Sequence, residues 1–180
     1  MSRAGQVIES TPTGERIRFL QTARDTGGEL LRADLSIRPH GAVAAAHVHP
    51  NQEERFEVVS GTLRIRIGRR WRSVGPGDIV VVARGTPHII RNDADVDGRV
   101  TVEFRPALRT EMFLENAFAI MNTHGLRPTP RFVAELCTLL VRFRDEMRTP
   151  WAFADVMVTL VARLSIWLGF RSRSTVDPDA

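Results

Sequence analysis

The sequence predicts an all-β barrel or sandwich followed by an α-helical C-terminal extension. Before residue 106, short β-rich runs alternate with turns of Gly, Pro and Asn. No helical pattern separates these runs, which is typical of barrels and sandwiches. After residue 106, the apolar spacing becomes helical. The 180 residues have room for one domain. We divide it into a barrel over residues 1–106, helices over 107–170 and a flexible tail over 171–180.

The predicted strands are short apolar or alternating runs bounded by turn residues. Arg64 and Arg66 alternate with apolar residues, so we predict a hairpin that turns at Gly68 and exposes its arginines to solvent. The predicted strands cover residues 17–20, 31–37, 56–59, 63–67, 79–82 and 99–104.

Three helices are predicted after the barrel. The first covers residues 111–121. Thr129 and Pro130 form an N-cap followed by a proline at the first helical position, which predicts a helix over residues 130–148. Thr149 and Pro150 repeat this start signal, and Gly169 provides a stop.

The last predicted helix, within residues 151–170, is mostly apolar and as long as a membrane span. Asp155 and Arg163 interrupt it, and a charge is costly at the centre of a bilayer. Together with Thr159, they are spaced by four and form one narrow polar stripe. This pattern favours a helix packed on the barrel, on its neighbouring helix or across a homodimer. Peripheral membrane contact is the second interpretation, and a true span is the third.

Composition narrows the class of protein. The 25 basic residues are all Arg, and the net charge is only +4. Neither this charge nor the apolar last helix indicates nucleic acid as a partner. Cys137 is the only cysteine, which excludes an internal disulfide and fits a reducing compartment. The first residues contain no apolar core of a signal peptide, so we expect a cytoplasmic protein.

Three of the five histidines lie where they can meet a carboxylate. His47 and His49 are two residues apart, so on a strand both imidazoles point to the same face. Glu54 follows a Pro-Asn turn that brings the chain back beside them, and His88 follows a second tight turn. Such a nitrogen-rich set with one oxygen ligand suits Fe, Mn, Ni, Cu or Zn and does not suit Mg or Ca.

The spacing of these residues resembles the first motif of the cupin superfamily, the germin-like β-barrels. That motif is a Gly, five residues, His-x-His, three or four residues, Glu, six residues and Gly. This chain matches it at every position, with Gly41, His47, His49, Glu54 and Gly61.

A second cupin motif follows after a short connection. It is a Gly, five residues, Pro, one residue, Gly, two residues, His, three residues and Asn. Gly77, Gly85, His88 and Asn92 match, whereas Ala83 stands where the motif has Pro. This departure affects a turn and not a ligand. The resemblance covers residues 15–106, and a match to both motifs is specific.

The resemblance implies a jelly-roll barrel that holds one divalent transition metal ion. The implied ligands are His47, His49, Glu54 and His88. Glu53 is the competing carboxylate. The two-residue period favours Glu54, because it shares a face with two apolar residues of the same strand.

The implied activity is metal-dependent oxidation of a small organic molecule, of the dioxygenase type. Cupins also include isomerases, decarboxylases and cyclases, so the fold does not choose the reaction. The alternative is a non-catalytic ligand-binding or sensing module whose helical tail mediates oligomerisation or membrane-surface association.

Alternation also predicts residues around the metal. Phe56, Val58 and Ile90 are in phase with the ligands and predict an apolar pocket for a small organic substrate. Glu103 would be a candidate general base if the polar face of its strand pointed inward. The apolar residues on the other face favour the opposite orientation, with Glu103 in solvent.

Overall fold

The computed structural model describes residues 2–43 and 45–170, which form two antiparallel sheets and three helices. The predicted tail over residues 171–180 lies outside the described residues. The larger sheet has six strands in the order β1-β2-β3-β9-β4-β7, and the smaller has three in the order β6-β5-β8. The strands are β1 (Val7–Ser10), β2 (Glu15–Gln21), β3 (Leu31–Ile37), β4 (Glu53–Ser60), β5 (Leu63–Ile67), β6 (Arg70–Val74), β7 (Ile79–Val82), β8 (His88–Arg91) and β9 (Gly98–Arg105).

Alternating apolar residues hold the two sheets together. In β3 every second side chain is buried, and the same period runs through most of the strands of both sheets. Phe19 and Leu31 of the larger sheet and Ile65 of the smaller sheet belong to one buried core. The predicted β-barrel with a helical extension is therefore confirmed.

The predicted hairpin of β5 and β6 is present, and its arginines have a specific neighbour. The guanidinium groups of Arg64 and Arg66 lie 5.2 and 5.5 Å from the centre of the Trp71 ring. Arg91 of β8 lies 4.5 Å from the same ring. These contacts order the outer face of the smaller sheet.

The helical extension consists of α1 (Thr110–His124), α2 (Pro130–Arg142) and α3 (Ala152–Trp167). Thr129 caps α2 as predicted, accepting a hydrogen bond from the Phe132 amide. However, α2 ends six residues before the predicted end at residue 148. The chain turns back to the barrel there, because Phe143 is buried in the core and Arg148 pairs with Val48 as an isolated β-bridge.

The helix α3 packs on α2 through its small and polar residues. Asp155, Thr159, Ala162 and Ser165 are buried or half-buried, whereas most of the large apolar side chains are exposed. The predicted polar stripe thus faces inward in part, and the apolar face has no cover among the described residues. None of the described helices is both long and apolar enough to cross a membrane.

Asn92 ties the loop after β8 to the end of β3. Its buried side-chain amide donates to the carbonyls of Ile37, Arg38 and Val96, and its oxygen accepts from the Ala94 amide. Removing such a group leaves buried carbonyls without a donor.

We therefore expect Asn92→Ala to lower the free energy of unfolding by about 1–3 kcal/mol. Urea denaturation would measure this loss, and metal content would stay unchanged because Asn92 is not in the ligand cluster. Asn51→Ala is the control, because it removes only an exposed hydrogen bond to the Asp145 carbonyl, and it should cost no more than about 0.5 kcal/mol. Equal stability of the two variants would contradict the anchoring role of Asn92.

Candidate metal centre

Four buried side chains converge inside the barrel: His47, His49, Glu54 and His88. One potential ligand atom from each lies within 4.8 Å of the others. His47 reaches this position through a backbone bridge to His88, with N–O distances of 3.1 and 3.0 Å in the two directions. Glu54 lies in β4, and His88 begins β8. The structure thus joins the two segments that carry the predicted ligands.

The three imidazole rings are fixed in the orientation that a metal requires. Each Nδ1 is within hydrogen-bond distance of a backbone carbonyl, so each ring carries a proton on Nδ1 and directs Nε2 into the cluster. The carbonyl partners are Ala45 for His47 (2.9 Å), Glu146 for His49 (2.6 Å) and Thr86 for His88 (2.9 Å).

The inner atoms of the cluster lack ordinary partners among the described residues. His49 Nε2, His88 Nε2 and Glu54 Oε2 are buried without a well-aligned hydrogen bond. Glu54 Oε2 lies 2.6 Å from His88 Nε2 and 3.5 Å from His49 Nε2. Burying unsatisfied polar atoms is costly, and a bound cation would satisfy all of them at once. These residues therefore fit a divalent transition metal.

Two of the histidines are held neutral. Burial, together with the neighbouring imidazoles of His88 and His49, lowers the pKa of His47 to about 3. Burial also lowers the pKa of His49, although Glu54 partly opposes this shift. Both rings are therefore ready to bind a metal without losing a proton at neutral pH.

His88 and Glu54 form a charged pair when no metal is bound. Burial alone would lower the pKa of His88, but the Glu54 carboxylate raises it above its usual 6.5. Burial raises the pKa of Glu54, but His88 and His49 lower it by more, so the carboxylate stays ionised. A metal must therefore displace one proton, the one on His88 Nε2.

This arrangement sets the pH dependence of metal binding. Because the pKa of His88 is raised, His88 is protonated below that pKa, and we expect metal affinity to fall as the pH drops through it. Near pH 6.5, binding should release about one proton per metal ion. Calorimetry in buffers of different ionisation enthalpy would count the protons. A release of two or three would contradict the assignment of His47 and His49 as neutral ligands.

Residues 34–104 match the model of the cupin domain family. The ligands of both motifs meet in one cluster, and together with this match they identify the family of the barrel. The barrel is a cupin domain. The match ends before α1, so the helical extension lies outside it. No curated protein matches the chain.

Solved structures show the same fold. A predicted oxalate decarboxylase from Thermotoga maritima is 17% identical, with a TM-score of 0.52 over 59% of this chain and 98% of that one. An RmlC-like cupin from Shewanella frigidimarina is 17% identical, with a TM-score of 0.51 over 59% and 88%. KdgF from Halomonas sp. is 19% identical, with a TM-score of 0.50 over 56% and 86%.

The two candidate carboxylates of the cupin motif lie on opposite sides of β4. Glu54 is buried in the cluster, whereas Glu53 is exposed opposite Arg105. The two-residue period of the strand and the spacing of the motif therefore select the same carboxylate, Glu54.

The cupin domain encloses a cavity of about 60 Å³ around the cluster. Phe56 and Ile90 line it, as predicted. Val58 does not, although it is buried on the same face of β4. It lies four residues beyond Glu54, about 13 Å along the strand, so the period predicts its face but not its depth in the barrel.

Glu103 lies on the outer face of β9 and cannot reach the cavity. The inner face carries Val102 and Phe104, which line the cavity. The expectation that Glu103 is in solvent is nevertheless wrong, since it is only 8% exposed. The carboxylate lies 3.0 Å from Arg105 and 3.5 Å from Arg32, whose long side chains cover the strand. Its role is that of an ion-pair partner.

Sequence reasoning missed Glu15, a buried carboxyl on the inner face of β2. It alternates in phase with Ile17 and Phe19, whereas Arg16 and Arg18 are exposed. This alternation is visible in the sequence, but Glu15 is the first residue of its strand and precedes the predicted strand, which begins at residue 17. Burial raises the pKa of Glu15 to about 7, although a hydrogen bond from Thr13 opposes this shift. Glu15 lines the cavity with His47.

The helical extension also contributes to the site. Phe113 and Leu114 of α1 and Met147, which follows α2, line the cavity. The carbonyl of Glu146 accepts from His49. No local pattern could place these residues, because they approach the barrel only through long-range packing.

Proposed function

We propose that this cupin is a metal-dependent enzyme of the oxidoreductase, dioxygenase-like type that acts on a small organic molecule. The observation that carries the proposal is the convergence of three pre-oriented imidazoles and one carboxylate within 4.8 Å. A divalent transition metal held there would supply a Lewis acid or a redox centre beside the cavity.

The residues of the chain have separable roles in this function. His47 and His49 offer neutral nitrogen ligands, and Glu54 supplies the negative charge that offsets part of the metal charge. Phe56 and Phe104 surround the cluster with apolar surface that limits the access of water. Fixed imidazoles and an apolar cavity favour chemistry at the metal over free exchange with solvent.

A non-catalytic ligand-binding or sensing cupin is the second candidate. The exposed apolar face of α3 supports it, because a sensing module needs a surface through which ligand binding reaches a partner. In this case, binding of the metal or of a small ligand would change how the protein associates with its partner, and the ligand would not be converted to a product.

Metal content and metal-dependent turnover test the proposal. The untagged protein, purified without chelating resin, should contain about one transition metal ion per chain. After removal, Fe²⁺, Mn²⁺, Ni²⁺, Cu²⁺ and Zn²⁺ are restored separately, and oxygen uptake is recorded with a panel of small phenols and diols. Uptake with one metal that disappears in Glu54→Gln would support the enzyme. Ligand binding without turnover for every metal would support the sensor.

A further inference from the structure

A second and larger cavity lies between the mouth of the barrel and the helical extension. Its volume is about 350 Å³, within the range of small-molecule sites. It shares Glu15, His47 and Met147 with the small cavity around the ligand cluster, so the two adjoin. The helices α1 and α2 form its other walls, through residues such as Phe118 and Leu136.

The lining of this larger cavity is almost entirely apolar. Besides His47, its charged or titratable residues are Glu15, which is 6% exposed, and the half-buried Arg148. Arg148 Nε already donates to the Arg144 carbonyl. Among the described residues, Glu15 has no ion-pair partner, and the nearby Arg38 donates instead to the Thr11 carbonyl. A buried carboxyl without a cation hydrogen-bonds a neutral polar group and repels an anion.

We propose that this cavity binds a neutral, mainly apolar small molecule through one polar group that hydrogen-bonds to Glu15. The inference rests on the proposed function, because the cavity adjoins the same metal-ligand cluster, and it names the substrate class. Anionic compounds such as sugar phosphates fit less well, since the walls are mainly apolar, the Glu15 carboxylate repels them, and the half-buried Arg148 is the one cation among the described residues of the lining.

A matched pair of probes tests this class directly. The probes are 2-naphthol, which is neutral, and 2-naphthoate, an anion of nearly the same size. Binding is measured by calorimetry on the metal-free protein at about pH 8, where Glu15 is ionised. We expect 2-naphthol to bind at one site and 2-naphthoate to bind at least roughly tenfold more weakly.

Three variants locate the interaction. Leu136→Trp narrows the cavity and should weaken binding of 2-naphthol by about tenfold, while the protein stays folded by circular dichroism. Glu15→Gln keeps the shape and removes the charge, so the discrimination against 2-naphthoate should disappear. Glu111→Gln is the control, because Glu111 is also a buried carboxyl with a raised pKa but does not line the cavity. It should discriminate as the unmodified protein does.

The possible failures are distinguishable. No binding of 2-naphthol, or equal binding of both probes, would overturn the substrate class even if the protein contains a full metal ion. Binding of 2-naphthol to Leu136→Trp with unchanged affinity would overturn the location. Probe binding as expected in a protein that never takes up metal would instead overturn the proposed function and leave the cavity assignment standing.

An independent observation concerns α3. Six large apolar residues lie along its outer face at spacings of three and four: Phe153, Val156, Met157, Leu160, Leu164 and Trp167. Phe153 is 77% exposed and Trp167 80%. These two aromatic side chains alone offer roughly 300 Å² of apolar surface. With the other four, each about half exposed, the stripe offers on the order of 600 Å², most of the roughly 800 Å² that each partner buries in a standard interface.

We infer that the apolar stripe of α3 is the interface with a second copy of this chain. Two copies related by a twofold axis place stripe against stripe, and large side chains at this spacing interlock as ridges and grooves. A bilayer is a poorer match, because interfacial helices carry several Lys or Arg on a free polar face. Here Asp155 and Thr159 turn toward α2, and Arg163 is the only basic residue of the helix.

Sedimentation velocity at micromolar concentration tests the interface. We expect a dimer for the unmodified protein and a folded monomer for the double variant Leu160→Glu with Leu164→Glu. Val96→Glu is the control, since it places the same charge at an exposed apolar residue away from α3, and it should remain dimeric. A monomeric unmodified protein, or a dimer that survives the double substitution, would overturn the inference. Monomers that sediment with phosphatidylglycerol vesicles through the same two leucines would assign the stripe to membranes.

Discussion

Replacing His88 by alanine should reduce the metal content from about one ion per chain to nearly none. The change removes one of three nitrogen ligands and also leaves the buried Glu54 carboxylate without the partner that lies 2.6 Å away. Changes outside the ligand set of metal sites typically cost 10–100-fold in affinity, so loss of a ligand should cost more than about 100-fold. Elemental analysis and titration with Zn²⁺ would measure both quantities.

A second histidine provides the control for this experiment. The side chain of His124 is also largely buried and lies 3.2 Å from Glu135, but it does not belong to the ligand cluster. His124→Ala should therefore keep the full metal content. If His88→Ala, or a triple variant lacking His47, His49 and His88, still held one ion per chain, the four-residue site would be the wrong one.

The second large effect is expected from Phe143→Ala. Phe143 is fully buried after the end of α2, packs edge-on against Phe113 at 5.9 Å and lies under the Arg109 guanidinium. Truncating a buried phenylalanine creates a cavity and typically costs about 3–5 kcal/mol. Urea denaturation of the metal-free protein would measure this loss.

The same variant should weaken metal binding. Phe143 holds the segment in which Glu146 accepts from His49 and pairs with Arg109 at 3.0 Å. When that segment loosens, the imidazole of His49 loses its fixed orientation, and affinity should fall by about 10–100-fold. Phe143→Leu fills most of the space and should show a smaller loss of both stability and affinity. Loss of stability with unchanged affinity would separate the helical extension from the metal site.

Local spacing was sufficient to predict the barrel and the ligand cluster. His47 and His49 share a face because of the two-residue period, and Glu54 was chosen over Glu53 by the same rule. The alanine that replaces the motif proline proved harmless to the turn. The Thr86 amide donates to the Ala83 carbonyl at 3.1 Å, so the backbone closes the turn without the ring.

The remaining features depend on how deep a residue lies in the barrel and on contacts with residues distant in the sequence. The periodicity of a strand or helix predicts neither. The predicted lining by Val58 failed because the period gives a face and no distance from the metal. Glu103 was expected in solvent because the covering arginines come from other strands. Similarly, α2 was predicted to continue to residue 148, since nothing local shows that residues 143–148 return to the barrel.

The hydrogen bond from His49 to the Glu146 carbonyl has a consequence for how this protein can be cut or recombined. The residue that orients one ligand comes from 97 positions further along the chain, outside the region matched to the cupin family. Grafting the barrel alone onto another protein, or exchanging its helices for those of a relative, would therefore transfer an incomplete centre. The unit that can be inherited or engineered as a whole is the barrel together with the chain up to Arg148.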